Sequence, residues 1–96
     1  MPRIVWSEKA SLDRIRFYQF LAPKNLEAAL RAQDTIRREI KILATHPEIG
    51  RPIEDLPPNY RELVIEFGQG GYVVRYQFNA EWVVILGIRH GREAGY

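Results

Sequence analysis

The chain has no cysteine, which excludes disulfide bonds, thiolate metal sites, iron–sulfur clusters and a cysteine nucleophile. It has only two histidines, His46 and His90, and their separation does not match the spacing of metal ligands. It also lacks an apolar run long enough to cross a membrane and a secretory signal pattern. The sequence therefore predicts a cytoplasmic protein with no metal site and no membrane association.

Lysine is scarce as well, since 11 of the 14 basic residues are arginine. The formal net charge of +2 is too small to indicate nucleic-acid binding by itself. Arginine offers a planar fork that matches carboxylates and phosphates, so the positions of the arginines carry more information than their number. The 96 residues, of which 46% are hydrophobic and 27% charged, predict one globular domain over residues 1–96.

The first half of the chain predicts a strand and two helices. Ile4–Trp6 favours a short strand, and Ser7 then caps a first helix that ends before Pro23. Asn25 caps a second helix that ends before Pro47. Apolar residues recur at helical spacing in both segments: Leu12, Ile15, Tyr18 and Leu21, then Leu26, Ala29, Leu30, Ile36, Ile40 and Leu43. The short connection predicts an antiparallel helical hairpin.

The second half predicts three strands after an irregular segment. His46–Asn59 is rich in proline and glycine, so regular structure is not expected there. Arg61–Phe67, Tyr72–Phe78 and Trp82–His90 are strand-like and are separated by short turns, which require antiparallel pairing. The predicted fold is α+β: a two-layer sandwich with an N-terminal strand, a helical hairpin and a three-stranded meander.

Alternation along these strands predicts which side chains share a face. The more aromatic face, expected to be covered by the helices, has Tyr72, Val74, Tyr76 and Phe78 from one strand and Trp82, Val84, Leu86, Ile88 and His90 from the next. Arg75 and Arg89 then project together from the opposite face. Arg61 alternates with Leu63 and Ile65, but its position at the start of a strand leaves its direction open.

Several short motifs, in this order and spacing, resemble the RelE/ParE superfamily of bacterial type II toxin–antitoxin toxins. They are Trp-Ser (6–7), His-Pro-Glu-Ile-Gly-Arg-Pro (46–52), Tyr-Arg-Glu-Leu-Val (60–64), Gly-Tyr-Val-Val-Arg-Tyr (71–76) and Ile-Leu-Gly-Ile-Arg-His-Gly-Arg-Glu (85–93). The resemblance implies the fold predicted above and an antitoxin partner whose disordered segment becomes ordered on the toxin. It also implies one of two activities. RelE-like members cut messenger RNA on the ribosome, whereas ParE-like members inhibit DNA gyrase and are not nucleases.

A metal-free ribonuclease needs a base, an acid and cations that stabilise charge on phosphorus. The candidate catalytic set is Arg61, Arg75, His90 and Tyr96, the last by resemblance to a C-terminal aromatic residue of the nuclease branch. Arg51 is a further candidate cation, and the candidate bases are Glu54, Glu62 and Glu66. Against this reading, alternation places His90 away from Arg75. From residue 51 onward the chain has five basic and six acidic residues and no lysine, whereas an RNA-gripping surface should be strongly basic.

We therefore favour the ParE-like reading: a gyrase inhibitor that arrests growth and stabilises plasmids, with no catalytic residue and no cofactor. The protein is an enzyme only under the RelE-like alternative, whose partners are the ribosome and mRNA. A third reading is an inactive homologue that acts only as antitoxin partner or in plasmid stabilisation. The predicted target-binding residues are Arg75, Arg89, His90, Arg92 and Tyr96.

The first helix carries the predicted antitoxin-binding residues. Phe17, Tyr18 and Phe20 crowd more than one side of it, so an exposed aromatic strip is expected to receive an antitoxin segment. The alternative is that Phe17 and Phe20 pack against residues 47–58.

Overall fold

The computed structural model describes residues 1–93 as two helices packed on one face of a five-stranded sheet. The elements are β1 (Arg3–Trp6), α1 (Glu8–Leu21), α2 (Leu26–Lys41), β2 (Arg51–Pro52), β3 (Tyr60–Ile65), β4 (Tyr72–Phe78) and β5 (Trp82–His90), with a 3₁₀ turn (Ile42–Ala44) continuing α2. The strand order is β1-β5-β4-β3-β2, in which β1 is parallel to β5 and the other pairs are antiparallel. The predicted α+β sandwich and meander are confirmed. Tyr96 lies outside the described residues.

Both predicted helix caps are confirmed. The Ser7 Oγ and the Asn25 Oδ1 each accept the backbone N–H of the residue three positions on, at 3.0 Å. Such bonds satisfy an N–H group that has no partner within the helix. The Ser7 hydroxyl also donates to the Leu86 carbonyl at 3.1 Å, so the start of α1 is fixed to β5.

The helical hairpin is confirmed, and Gln33 joins its two members. Its amide donates to the Arg14 carbonyl oxygen at 3.0 Å and accepts from the Arg14 Nε at 3.1 Å. The inward face of α1 differs from its most apolar stripe, because Leu12 and Ile15 are 55% and 50% exposed. The residues that α1 buries are Ala10, Asp13 and Phe17.

Asp13 is a buried carboxylate on the face of α1 that packs against β5. Its Oδ2 accepts the Ile88 N–H of β5 at 2.8 Å and the Lys9 ammonium at 3.0 Å. Arg16 lies 3.7 Å from the other carboxylate oxygen. A buried charge needs such partners, because its desolvation is otherwise costly.

The segment before β3 was predicted to be irregular, but it contains β2 and is firmly attached. Pro52 is accommodated because β2 is an edge strand. The buried Tyr76 hydroxyl donates to the Pro47 carbonyl at 2.7 Å and accepts the Gly50 N–H at 2.9 Å. A Cβ at Gly50 would lie 2.5 Å from that hydroxyl oxygen, so only glycine fits this close approach.

A β-bulge in β5 changes which of its side chains face the helices. Arg75 pairs with Gly87 while Tyr76 pairs with Ile85, so Leu86 is an extra residue. The extra residue reverses the alternation, so that Ile85 before the bulge and Ile88 after it lie on the same face. Consequently Val83 and Ile85 are buried in the core, and the prediction that Trp82, Val84 and Leu86 lie under the helices is wrong. After the bulge, Ile88 and His90 return to the helix-covered side as predicted.

Candidate functional site

The sheet face without helices is the open face. In register across the five strands it carries Arg3 and Val5; Trp82, Val84, Gly87 and Arg89; Val73, Arg75 and Gln77; Tyr60, Glu62 and Val64; and Arg51. The prediction that Arg75 and Arg89 share this face is confirmed by their opposite residues, Gly87 and Val73. Arg3 and Arg51 add two more cations.

Three charged residues form a row across β2, β3 and β4 of the open face. Arg51 lies opposite Glu62, and Glu62 lies opposite Arg75. The Glu62 Oε1 is 3.3 Å from the Arg51 Nη2, and its Oε2 is 3.2 Å from the Arg75 Nη2. The Glu62 side chain is 13% exposed, against 34% for Arg75 and 58% for Arg51. We call these three residues the arginine row.

Arg89 lies next to this row but is directed toward the end of the chain. Its Nη1 donates to the carbonyl oxygens of His90 and Glu93, at 3.5 and 3.3 Å. Arg89 is half-buried, and these two hydrogen bonds orient its guanidinium group on the open face.

Arg61, Arg75 and His90 of the candidate catalytic set are not brought together, although the candidate base Glu62 contacts the candidate cations Arg51 and Arg75. Arg61 lies on the helix-covered side, where it donates to the carbonyl oxygens of Pro58, Glu48 and Gly50 at 2.9, 3.3 and 3.1 Å. Arg61 therefore fastens the segment before β3. His90 is on the same side but roughly 13 Å further along the sheet, because their partners on β4 are four residues apart. Arg75 lies on the opposite face.

His90 is part of an aromatic environment. Its ring meets the Tyr72 ring edge to face, with centroids 5.6 Å apart. Its Nδ1 accepts the backbone N–H of Arg92 at 3.2 Å, which in the neutral ring leaves the proton on Nε2. Gly70 passes so close that a Cβ there would lie 2.2 Å from the ring. His90 thus packs at the end of β5 on the helix-covered side, which confirms the prediction that alternation separates it from Arg75.

Beside His90 a cleft of about 700 Å³ opens between α1, the β3–β4 turn and the end of β5. We call it the aromatic cleft. It is lined by Arg16, Phe17, Phe20, Leu21, Phe67, Gly68, Gln69, Tyr72, His90, Arg92 and Glu93. Its floor is aromatic, with the Phe17 and Phe67 ring centroids 4.9 and 6.2 Å from that of Tyr72. Arg92, predicted to bind the target, lines this cleft and donates to the Gln69 Oε1 at 3.0 Å.

The aromatic residues of α1 do not form the predicted strip. Phe17 is 7% exposed and packs in the core, whereas Phe20 is 67% exposed at the mouth of the cleft. Tyr18 is exposed and does not line the cleft. Neighbouring helix residues differ in direction by about 100°, so three aromatics in four positions cannot share one face. Phe17 and Phe20 meet at the cleft, and not against residues 47–58 as the alternative held.

A charged pair closes one side of the aromatic cleft. The Arg16 Nη1 and Nη2 donate to the two Glu93 carboxylate oxygens, at 2.8 and 3.2 Å. These bonds hold the pKa of Glu93 below its ordinary value and raise that of Arg16. The Arg16 guanidinium also lies 4.6 Å from the Phe17 ring centroid, so it covers the aromatic floor.

Within residues 1–93, no three His, Asp or Glu side chains are grouped as a metal site would require. None of the helices over the same residues is long and apolar enough to span a membrane.

Sequence reasoning missed the role of Glu62 as the shared partner of Arg51 and Arg75. Among the residues of the five described strands it is the only acidic one, a signal that was available in the sequence. It also missed Phe67 and the Arg16–Glu93 pair. The ends of that pair are 77 residues apart, so no local pattern indicates it.

Comparison with known proteins finds similarity to ParE and RelE toxins. Residues 4–95 match the model of a family described as the ParE toxin of the type II toxin–antitoxin system parDE. Toxin RelE3 of Caulobacter vibrioides is 34% identical over 97% of this chain and 98% of its own, and Toxin RelE1 of the same organism is 31% identical over 94% of each. A solved chain of the chromosomal ParDE system from P. aeruginosa aligns with a TM-score of 0.77 and 26% identity, over 94% of this chain and 96% of that chain.

Proposed function

Because the chain belongs to the ParE toxin family of type II toxin–antitoxin systems, we propose that it arrests growth by binding DNA gyrase and that a cognate antitoxin neutralises it. Its place among type II toxins follows from the family; the gyrase target is the proposal. A cytoplasmic location is part of it, because gyrase acts there. The proposal assigns the protein no catalytic residue.

The separation of His90, the candidate acid–base histidine, from the candidate cations Arg75 and Arg89 supports this choice. In-line RNA cleavage needs both around one phosphate, within hydrogen-bond reach. Here His90 packs against Tyr72 on the helix-covered side, while Arg75 and Arg89 lie on the open face. Glu62, a candidate base, does lie beside Arg75 on the open face, but its two carboxylate oxygens are bound by Arg51 and Arg75. A face whose carboxylate is engaged by its own arginines suits binding better than cleavage.

The open face is the proposed gyrase-binding surface. Its arginines stand on adjacent strands, so their backbone positions are fixed by the sheet. Arginine is common at the centres of protein interfaces, because its planar group makes several directed hydrogen bonds. Arg75 and Arg89 are the residues on which we expect target binding to depend most.

The aromatic cleft is the proposed antitoxin-binding surface. Phe20 is its most exposed aromatic residue, and the cations at its edge are Arg16 and Arg92. This combination fits a partner segment with apolar anchors and acidic flanks, which a disordered antitoxin segment supplies when it folds on binding. The curated relatives named RelE3 and RelE1 keep messenger RNA cleavage as the alternative that the experiment must exclude.

Two assays separate the activities. The purified protein is added to a gyrase supercoiling reaction and, separately, to a translating extract whose message is mapped by primer extension. We expect inhibited supercoiling with accumulated gyrase–DNA cleavage complexes, and intact message. Codon-phased cuts in the message with normal supercoiling would replace gyrase by the ribosome as the target. The absence of both effects would favour an inactive homologue.

A pair of variants tests the antitoxin surface. A neighbouring open reading frame of about 70–90 codons is the size that a disordered antitoxin needs, and its product serves as the probe. Phe20→Ala is expected to weaken binding about tenfold or more. Leu12→Ala is the matched control, since Leu12 is an exposed apolar residue on the outer side of α1. Equal losses in the two variants would contradict the placement at the cleft.

A further inference from the structure

The open face has the composition of an anion-binding surface. It carries Arg3, Arg51, Arg75 and Arg89, and strand register places all four on one side of the sheet. Aligned arginines attract phosphate chains regardless of sequence, because nucleic-acid backbones release counterions when they are neutralised. A toxin with such a face would be expected to bind any RNA or DNA, unless something in the face opposes it.

The position of Glu62 opposes such non-specific binding of nucleic acid. Glu62 stands between two of the four arginines, and each of its carboxylate oxygens takes one guanidinium of the arginine row, at 3.3 and 3.2 Å. Its neighbours on the same face of β3 are Tyr60 and Val64, which are uncharged. On the far side of Arg75 lies Gly87, which adds no side chain. The carboxylate is therefore the central charge of this part of the face.

Its low exposure matters for the charge balance. The Glu62 side chain is 13% exposed, so its charge is less screened by water than that of a surface residue. A phosphate that approached Arg75 would have to displace this carboxylate or remain beside it as a like charge. A protein partner need not do either, because neutral carbonyl oxygens can accept from Arg75 without meeting repulsion from Glu62.

We propose that Glu62 is a specificity-determining residue, which keeps the open face from binding nucleic acid by its backbone while holding Arg75 in orientation for a protein target. The proposal rests on the protein target proposed above. It identifies the partner chemistry that the face accepts: uncharged hydrogen-bond acceptors of a folded protein in preference to a phosphate chain.

The test is the salt dependence of nucleic-acid binding by Glu62→Gln, which keeps the side-chain shape and removes the charge. Binding of a labelled single-stranded RNA and of a labelled DNA duplex is followed by fluorescence anisotropy from about 50 to about 200 mM salt. We expect Glu62→Gln to bind both nucleic acids roughly three- to tenfold more tightly than the unchanged protein does. The slope of log affinity against log salt concentration should steepen by about 0.7 per added phosphate contact for RNA and by about 0.9 for DNA.

Glu27→Gln is the matched control, because it changes the net charge equally at an exposed pair with Arg31 on α2. The double variant Glu62→Gln/Arg75→Ala is expected to lose most of the gain, since the gain requires the released guanidinium. If Glu62→Gln does not fold, as judged by circular dichroism, Glu62→Thr provides the same loss of charge with a residue that suits a strand.

The proposal is overturned if the folded Glu62 variant binds no more tightly than Glu27→Gln, or if its salt slope is unchanged. These outcomes are independent of the gyrase assay. A failure of gyrase inhibition by the unchanged protein, with tighter nucleic-acid binding by Glu62→Gln, would remove the proposed target and leave the role of Glu62 in excluding phosphate intact.

Discussion

On the helix-covered side of the sheet, Asp13, Tyr76 and Arg61 each bind backbone groups of a segment distant in sequence, whereas on the open face Arg51 and Arg75 share one carboxylate. The bonds of Asp13 and Tyr76 satisfy buried backbone groups, so their loss costs stability, and the partly buried bond of Arg61 holds the segment before β3. On the open face, the side chains of Arg75 and Arg51 are 34% and 58% exposed, so a partner can reach them without unfolding the sheet. We infer that substitutions on the two sides will separate stability from function.

The largest expected effect on stability is at Asp13. Asp13→Ala removes the acceptor of the Ile88 N–H and leaves that buried group without its bond. We expect the free energy of unfolding to fall by about 2–4 kcal/mol, measured by urea denaturation. Asp13→Asn keeps an acceptor oxygen and should lose less. A loss no greater than that of Asp34→Ala, which removes an exposed ion-paired carboxylate on α2, would contradict the account.

A substitution at Tyr76 tests whether bonds on the helix-covered side hold the segment that carries Arg51 of the open face. Tyr76→Phe removes the hydroxyl that binds Pro47 and Gly50, next to Arg51 of the arginine row. We expect a loss of about 1–2 kcal/mol in the free energy of unfolding and faster hydrogen exchange of the Gly50 amide. Tyr18→Phe, on the exposed side of α1, serves as control. Unchanged exchange at Gly50 would mean that the segment before β3 is held by other contacts.

The smallest effect concerns the pair that closes the aromatic cleft. The pKa of Glu93 is lowered by its hydrogen bonds from Arg16. A carboxyl group of this kind stabilises the fold above its unfolded pKa of about 4.3, and the contribution is lost as the pH falls through the lower folded value. A carboxyl-detected NMR titration should place Glu93 below the ordinary range, and Arg16→Gln should return it there. An ordinary midpoint in the unchanged protein would show that the pair does not form in solution.

The sequence predicts the elements of the fold well, because caps, periodicity and turns are local. Ser7 and Asn25 bond as their positions suggest, and the meander follows from short turns. The two-residue β2 was missed because a segment rich in proline gives no strand pattern. It forms because Tyr76 and Arg61 hold the chain beside β3.

The faces of β5 could be predicted only in part. The run from Val83 to Leu86 is apolar at every position, so both phases of alternation fit it equally, and the bulge at Leu86 decides between them. The prediction for Arg75 and Arg89 is correct because both lie on the same side of that bulge, which holds the C-terminal part of β5 and the N-terminal part of β4. The aromatic cleft was not predictable, since it joins α1 with residues 67–72 and 90–93, and only tertiary packing brings these together.

The most direct test of two faces with two roles is to measure gyrase inhibition and antitoxin affinity on one variant, Arg75→Ala/Arg89→Ala. We predict that inhibition falls by about tenfold or more, while the affinity for the antitoxin is unchanged and the free energy of unfolding shifts by no more than about 1 kcal/mol. Full inhibition by the folded variant, or an equal loss of antitoxin binding, would contradict the account.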